Sequence, residues 1–264
     1  MKKTVILLST HFLNQEIVDK YKHLSEEVDD LYDVYILLNR KEDDTVIPDG
    51  IKVFYSTKKD IDKLGYKYFE SDWLYRGSCN FPVQRFWKEH PEYDFYWFVE
   101  YDVIFTGRWS YFFDAWEDDY DFLTCHVERY NPFTNQLWTW WRENVNIGIE
   151  KKDLIKGFNT ICRYSNRACK ELDKHYLEGK IAHSEVFITS ILHNNGYKIG
   201  DLGGDYEFTP EDKRNLFYKK DLGINYGTIR YRPLIMDYEV VKENTLYHPW
   251  KIDGYKDIYK KNKL

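Results

Sequence analysis

The sequence predicts an α/β protein built on one mostly parallel central sheet, with helices packed on its faces. Three observations carry this. The chain opens on a continuous apolar run with a β-branched start, TVILLST at 4–10, the pattern of a strand buried on both faces. A helix-spaced segment at 14–28 and a second buried run at 32–39 follow, so strand and crossover alternate. A later aromatic-dense run, YDFYWFVEYDVIFTGRW at 93–109, carries two acids in its middle, which suits a strand whose carboxyl end opens onto a site.

Each element has its own signal. In NQEIVDKYKHLSEEV, Ile17, Val18, Tyr21, Leu24 and Val28 fall at helical spacing. YDVYILLN (32–39) and IKVFYST (51–57) read as the second and third strands, the latter after a Pro-Asp-Gly turn at 48–50. Residues 58–80 are polar, aromatic and irregular. CNFPVQRFWKEHPEYD (79–94) reads as a helix with Pro82 near its first turn, ending near His90-Pro91. FYWFVEYDVIFT (95–106) is then a strand with an acidic end, WSYFFDAWE (109–117) is packed aromatic chain, and YDFLTCHV (120–127) is another strand. Residues 128–146 are loop-like and Trp-rich. FNTICRYS (158–165) reads as a strand, and NRACKELDKHYLEGK (166–180) and SEVFITSILHNNG (184–196) read as helices, the second stopped by Asn-Asn-Gly. YKIGDLGG (197–204) is a short strand and turn, and the rest is mixed, ending in TLYHPWK at 245–251. No repeat or linker interrupts the chain, so a single domain over 1–264 is expected.

Bulk composition narrows the class. With 31% charged and 43% apolar residues the chain is a globular protein, and 264 residues bury a substantial core. The aromatic share of 19% suits a protein that stacks sugars on flat rings, or equally a Tyr-rich core. A net charge of −6 and the lack of a basic stripe argue against nucleic acid as a partner. The closing lysines, YKDIYKKNKL, imply at most peripheral contact with an anionic membrane. Cys79, Cys125, Cys162 and Cys169 lack C-x-x-C spacing and read as free thiols of a reducing compartment. MKKTVILLSTHF is too short in its apolar stretch for a signal peptide, so the expected location is cytoplasmic.

Glu100 and Asp102 are the chemical puzzle. Two buried carboxylates cost several kcal/mol unless neutralised. In an extended strand positions i and i+2 point to one side, so Glu100 and Asp102 face the same way, with Tyr101 opposite. A divalent cation removes their repulsion, and hard oxygen ligands suit Mg²⁺ or Mn²⁺. The alternative is that Glu100 pairs with a neighbouring Arg or Lys while Asp102 caps the following turn. In the loop LWTWW (137–141), Trp138 and Trp140 share a side if extended and form a candidate acceptor platform, or else a hydrophobic lid.

The acid-tipped strand resembles the metal-binding motif of GT-A glycosyltransferases, the nucleotide-diphospho-sugar transferases, here in an E-x-D form. A pattern of Trp97, Glu100, Asp102, Val103, Phe105, Gly107 and Trp109, followed by Arg163 with Ser165, His183 with Glu185, and Gly203-Gly204, resembles a poorly characterised bacterial branch of that family. The resemblance implies a Rossmann-like GT-A sheet, with 1–127 as the nucleotide-binding part and 128–264 as the acceptor and metal-completing part. It implies that Ser9, Thr10 and His11 form the nucleotide-binding turn, and that Arg163 and Lys251 meet phosphate. Arg163 could instead pair with a surface acid. His248, in YHPWK, would complete the metal shell beside Glu100 and Asp102. Asn159, or its rival Asn146 in NVNIG, would bind sugar, with His183 on the acceptor side. Glu185 would be the catalytic base at a helix N-terminus, whose dipole favours its ionised form. The plainer account makes Ser184 an N-cap and Glu185 a first-turn acid.

The function these features imply is a metal-dependent, inverting glycosyltransferase of polysaccharide biosynthesis. It would move a sugar from a nucleotide-sugar donor, a UDP-sugar by preference, to a hydroxyl of a saccharide or glycolipid acceptor. The alternative is a catalytically silent sugar-nucleotide or glycan-binding protein on the same fold. A metal-dependent phosphoesterase would need a denser His/Asp cluster than this chain shows.

Overall fold

The computed structural model describes residues 2–28, 32–40, 47–70, 76–116, 120–141, 146–220, 227–235 and 241–250. Along them run β1 (Thr4–Thr10), α1 (Gln15–Glu27), β2 (Tyr32–Arg40), β3 (Val53–Thr57), α2 (Lys58–Asp62), α3 (Phe81–Glu89), β4 (Phe95–Glu100), β5 (Ile104–Phe105), α4 (Trp109–Asp114), β6 (Phe122–Arg129), β7 (Ile155–Ser165), α5 (Asn166–Leu177), α6 (Ser184–Asn194), β8 (Ile199–Asp201) and β9 (Leu246–Tyr247). The central sheet has the order β3-β2-β1-β4-β7-β6-β8. Only β7 runs against its neighbours; the other pairings, β3-β2-β1-β4 and β6-β8, are parallel.

Strand alternation divides the core into two layers. Val5 and Leu7 of β1 face the layer of α3, α5 and α6, while Ile6 and Leu8 face α1 and α4. Burying each such side chain stabilises the fold by about 1.5–3 kcal/mol. Helix starts follow local chemistry. The Asn14 side chain accepts from Ile17 N at 3.0 Å, and Ser165 Oγ accepts from Ala168 N at 3.1 Å. α2 lies in the stretch whose composition reads as irregular; a Thr57/Asp60 capping box stabilises this single short turn, which periodicity cannot detect. β7 begins at Ile155, three residues before the expected strand, and β6 runs on through Arg129 across the 127/128 division.

The chain visits β1, β2 and β3 outward on one side, then returns to place β4 on the other side of β1. The carboxyl ends of β1 and β4 therefore form the switch point of the sheet, where α/β proteins place ligands. Ser9 and Glu100 are register partners there. A second, two-stranded sheet joins β5 to β9, with Ile104 opposite Tyr247 and Phe105 opposite Leu246. Gly107 permits this approach, since a Cβ there would lie 2.1 Å from Asn244 Oδ1.

Candidate functional site

The acids do not share a continuous strand. β4 stops at Glu100, and Val103 N donates to Glu100 O at 3.0 Å, closing a turn that carries Asp102. The expectation of two side chains one pleat apart is therefore corrected: a turn, not strand alternation, aims them. The turn is clamped from outside. Tyr101 N donates to Ser9 O at 2.9 Å, and Lys20 of α1 donates its ammonium to the carbonyls of Tyr101, at 2.6 Å, and of Val103.

The β5–β9 pairing delivers His248 to this turn, since His248 follows the residue paired with Ile104. Its Nε2 stands 3.5 Å from Glu100 Oε2 and 3.6 Å from Asp102 Oδ1. Its Nδ1 lies 2.8 Å from Arg230 O. A carbonyl only accepts, so Nδ1 carries the proton and a neutral ring turns its Nε2 lone pair toward the two carboxylates. Distances of 3.5 and 3.6 Å are long for charge-assisted N–H···O bonds, which close to about 2.7–2.9 Å. One donor atom from each residue lies within 4.8 Å of the others. Neighbouring ligands of a six-coordinate cation with bonds of about 2.0–2.1 Å sit about 3 Å apart. Two carboxylates and one imidazole lone pair, at this spacing, fit a divalent cation. Asp102 and His248 are buried, and Glu100 is the half-exposed member.

Glu185 lies in the first turn of α6, where His183 rather than Ser184 is the N-cap, its Nδ1 accepting from Glu185 N at 3.3 Å. Burial, and next the charge of Glu100, push the Glu185 carboxyl up to about 8, with Lys156 partly offsetting them. The expectation that the helix terminus keeps it ionised is corrected: desolvation outweighs the dipole. Cys79 senses the same two acids. Burial first, then Glu100 and Glu185, push its thiol up to about 12, so it is an inert thiol.

The remaining expected residues divide. Thr10 is committed to its own turn, its hydroxyl donating to Phe12 O at 2.8 Å. His11 packs edge-on against Tyr101 at 5.6 Å, beside the acidic turn. Asn159 is buried on β7 and accepts from the Thr124 hydroxyl at 3.0 Å, while its Nδ2 has no protein partner. The register that pairs Val99 with Ile161 puts Asn159 and the buried Thr160, whose hydroxyl is equally unpartnered, next to Glu100. Asn146 is exposed and exchanges backbone bonds with Ile181 at 2.8 and 3.0 Å. Trp140 stacks on His183 at 4.2 Å and 4°, so it builds the wall beside Glu185; Trp138 packs edge-on against Trp141 at 4.8 Å.

Arg163 is a correction. It is 2% exposed, lies over the Phe95 ring at 4.2 Å, and donates to the carbonyls of Trp116 and, at 3.2 Å, of Tyr120. Its register partner is Trp97, three residues before Glu100, so its guanidinium is structural. Lys251 lies outside the described residues. Lys20 and Thr160 were not foreseeable: Lys20 reads as a lysine on a helix flank, and Thr160 matters only through a register that the sequence does not display.

Among the described residues no helix is long and apolar enough to cross a membrane. Neither a family model nor a curated protein matches the chain. Among solved structures, an active-site mutant of LgtC is similar at 9% identity and a TM-score of 0.41, over 75% of this chain and 71% of that one. Core-mannan synthase A from Aspergillus fumigatus, in a Mn/GDP form, is similar at 10% identity and 0.36, over 84% and 82%. The mannosyltransferase Ktr4p from S. cerevisiae is similar at 12% identity and 0.34, over 76% and 68%. The likeness to each concerns the fold alone.

Proposed function

We propose that this chain is a metal-dependent glycosyltransferase that moves a sugar from a nucleotide-sugar donor, a UDP-sugar by preference, to a hydroxyl of a saccharide or glycolipid acceptor. The observation that carries this is the meeting of Glu100, Asp102 and the Nε2 lone pair of His248 at the switch point of the sheet. These three residues would hold Mn²⁺ or Mg²⁺. Bound there, the cation would neutralise the charge that a nucleoside diphosphate gains as the glycosidic bond breaks.

The protein's own groups supply the rest. Burial, and next the repulsion of Glu100, hold the proton on Glu185, and once the Glu100 charge is committed to a ligand that repulsion falls. Glu185 then ionises and takes the acceptor hydroxyl proton, as an inverting reaction requires. His183, kept in place by Trp140 and Phe69, walls the acceptor side. Asn159 Nδ2 and Thr160 Oγ1, buried without protein partners, would bond the donor's sugar or phosphate groups.

Calorimetry tests the site. UDP in the presence of Mn²⁺ should bind the wild-type chain, and Asp102→Asn or His248→Gln should weaken that binding at least about 100-fold. Unchanged affinity in both variants would remove the metal role. Glu185→Gln should bind donor normally and lose transfer. A wild-type chain that binds Mn²⁺ and UDP but neither transfers nor slowly hydrolyses any sugar nucleotide would be the silent binding protein instead.

A further inference from the structure

His248 is oriented by a short segment, residues 228–230. His248 N donates to Thr228 O at 2.9 Å, Arg230 N donates to His248 O at 2.9 Å, and His248 Nδ1 donates to Arg230 O at 2.8 Å. The carbonyl of Ile229, between them, is taken by another histidine. His126 Nε2 lies 2.6 Å from Ile229 O, so that nitrogen carries the ring's proton. His126 Nδ1 then accepts from the Tyr206 hydroxyl at 2.5 Å. Burial pushes the pKa of this ring down to about 4, so it stays neutral and the donor order is fixed.

The backbone around His126 is equally committed. Its φ is 53°, a left-handed conformation inside β6, at a register shift against β7. Its N–H donates to the Tyr218 hydroxyl at 2.8 Å, and that hydroxyl donates to Asp201 at 2.7 Å. Asp201 also accepts from the N–H groups of Val127, Gly203 and Gly204 at 3.0, 3.1 and 2.8 Å. Gly203, with φ 105°, is what lets the turn fold back over the carboxylate. Phe158 fills the space between the two imidazoles, 6.0 Å from His126 and 5.4 Å from His248.

We propose that His126, anchored by Tyr206, Tyr218 and Asp201, is a positioning residue for His248: it fixes the segment that aims the His248 lone pair at Glu100 and Asp102. This rests on the metal site proposed above. A buried histidine in a strained backbone, with both ring nitrogens committed, is more than a core needs. A core position could be filled by an apolar residue without left-handed strain.

The test is Mn²⁺ affinity by calorimetry, at a temperature where thermal unfolding shows every variant folded. His126→Asn keeps a residue that tolerates the left-handed backbone but places its amide at the Nδ1 position, short of Ile229. His126→Gln reaches Ile229 with a donor on a less tolerant backbone. The expected result is wild-type binding, a loss of about tenfold or more in His126→Asn, and retention of most affinity in His126→Gln. Leu172→Ala, a cavity in α5 far from the turn, should destabilise the fold and leave Mn²⁺ affinity unchanged. Equal losses in the Asn and Gln variants would trace the effect to the backbone and overturn the inference, as would wild-type affinity in His126→Asn. If His126→Asn does not fold, Tyr206→Phe decides, because it keeps ring and backbone and removes only the donor to Nδ1; unchanged affinity there overturns the inference. Failure of the wild-type chain itself to bind Mn²⁺ would refute the metal site, a separate outcome read before any variant.

Discussion

Glu185 makes the most demanding prediction. The ordinary value of its carboxyl is 4.5 and the folded chain raises it to about 8, chiefly by burial. Below pH 4.5 the group is protonated in both folded and unfolded chains. Between 4.5 and about 8 the folded chain holds a proton that the unfolded chain has lost, so stability falls as pH rises, by about 1.4 kcal/mol per unit. At pH 7.5 that is three units, a ceiling of about 4 kcal/mol. Glu185→Gln keeps the shape of the neutral acid and cannot ionise, so it should recover this loss. For a chain of this size about 1 kcal/mol moves the melting temperature by about 2–4 °C. The variant should therefore melt up to about 8–16 °C above wild type at pH 7.5 and at most about 1–3 °C above it at pH 5. The assay is thermal unfolding of both chains across this range without metal. Glu100→Gln removes the second cause of the shift, so the pH-dependent gap should shrink in that background. A gap of constant size from pH 5 to 7.5 would refute the account, because it would mean that Glu185 titrates alike in folded and unfolded chains.

Other predictions follow from contacts away from that carboxyl. Arg163→Met should cost about 2–4 kcal/mol in urea unfolding by stranding the Trp116 and Tyr120 carbonyls, while UDP affinity stays at the wild-type value; a selective loss of UDP binding would restore its phosphate role. Asp201→Ala leaves the donors of Val127, Gly203, Gly204 and Tyr218 unmatched and should cost about 3–5 kcal/mol by the same measurement. Trp140→Ala removes the ring stacked on His183, a pair worth about 0.5–1.5 kcal/mol, and should raise KM for the acceptor while slow hydrolysis of the donor alone is unchanged.

Periodicity made the sheet legible because buried parallel strands are apolar runs, and β1, β2 and β4 sit where those runs lie. The acids were legible for the complementary reason, since charge inside such a run demands an explanation. What the sequence hid is non-local. β5 and β9 are two residues long each, too short for any pattern, yet their pairing brings His248 to Asp102. His248 was visible only through a family resemblance. The Arg163 error has the same origin: a basic residue in an apolar strand looks like a ligand-binding group until its register shows backbone carbonyls waiting for it. The Glu185 error was one of magnitude. A helix terminus contributes about 0.3–1 kcal/mol at exposed positions and up to about 2 kcal/mol when partly buried. Each unit of pKa shift by desolvation is about 1.4 kcal/mol, so burial wins.

The buried acids of this protein separate by what surrounds them. Asp121 is 2% exposed and accepts from Ser165 Oγ at 2.9 Å, from Arg167 at 2.6 and 2.5 Å, and from Lys198 N at 2.9 Å. Asp201 is wholly buried and takes four donors. Each of these carboxylates has bonds that work against its desolvation, although burial still holds the Asp201 carboxyl above its ordinary value, and each ties strands together. Glu185, at 15% exposed, is less buried than either, and among the described residues no hydrogen-bond donor reaches its carboxyl while the charge of Glu100 repels it. A fold that can dress Asp121 and Asp201 so completely has the means to satisfy Glu185 or to replace it with Gln, at a gain of several kcal/mol by the linkage above. The undressed acid feels instead the charge of Glu100, which stands with Asp102 and the His248 imidazole at the point where the sheet reverses direction. An acid left without donors, under the repulsion of Glu100 at the end of β4, is where an incoming cation and substrate have the most to stabilise.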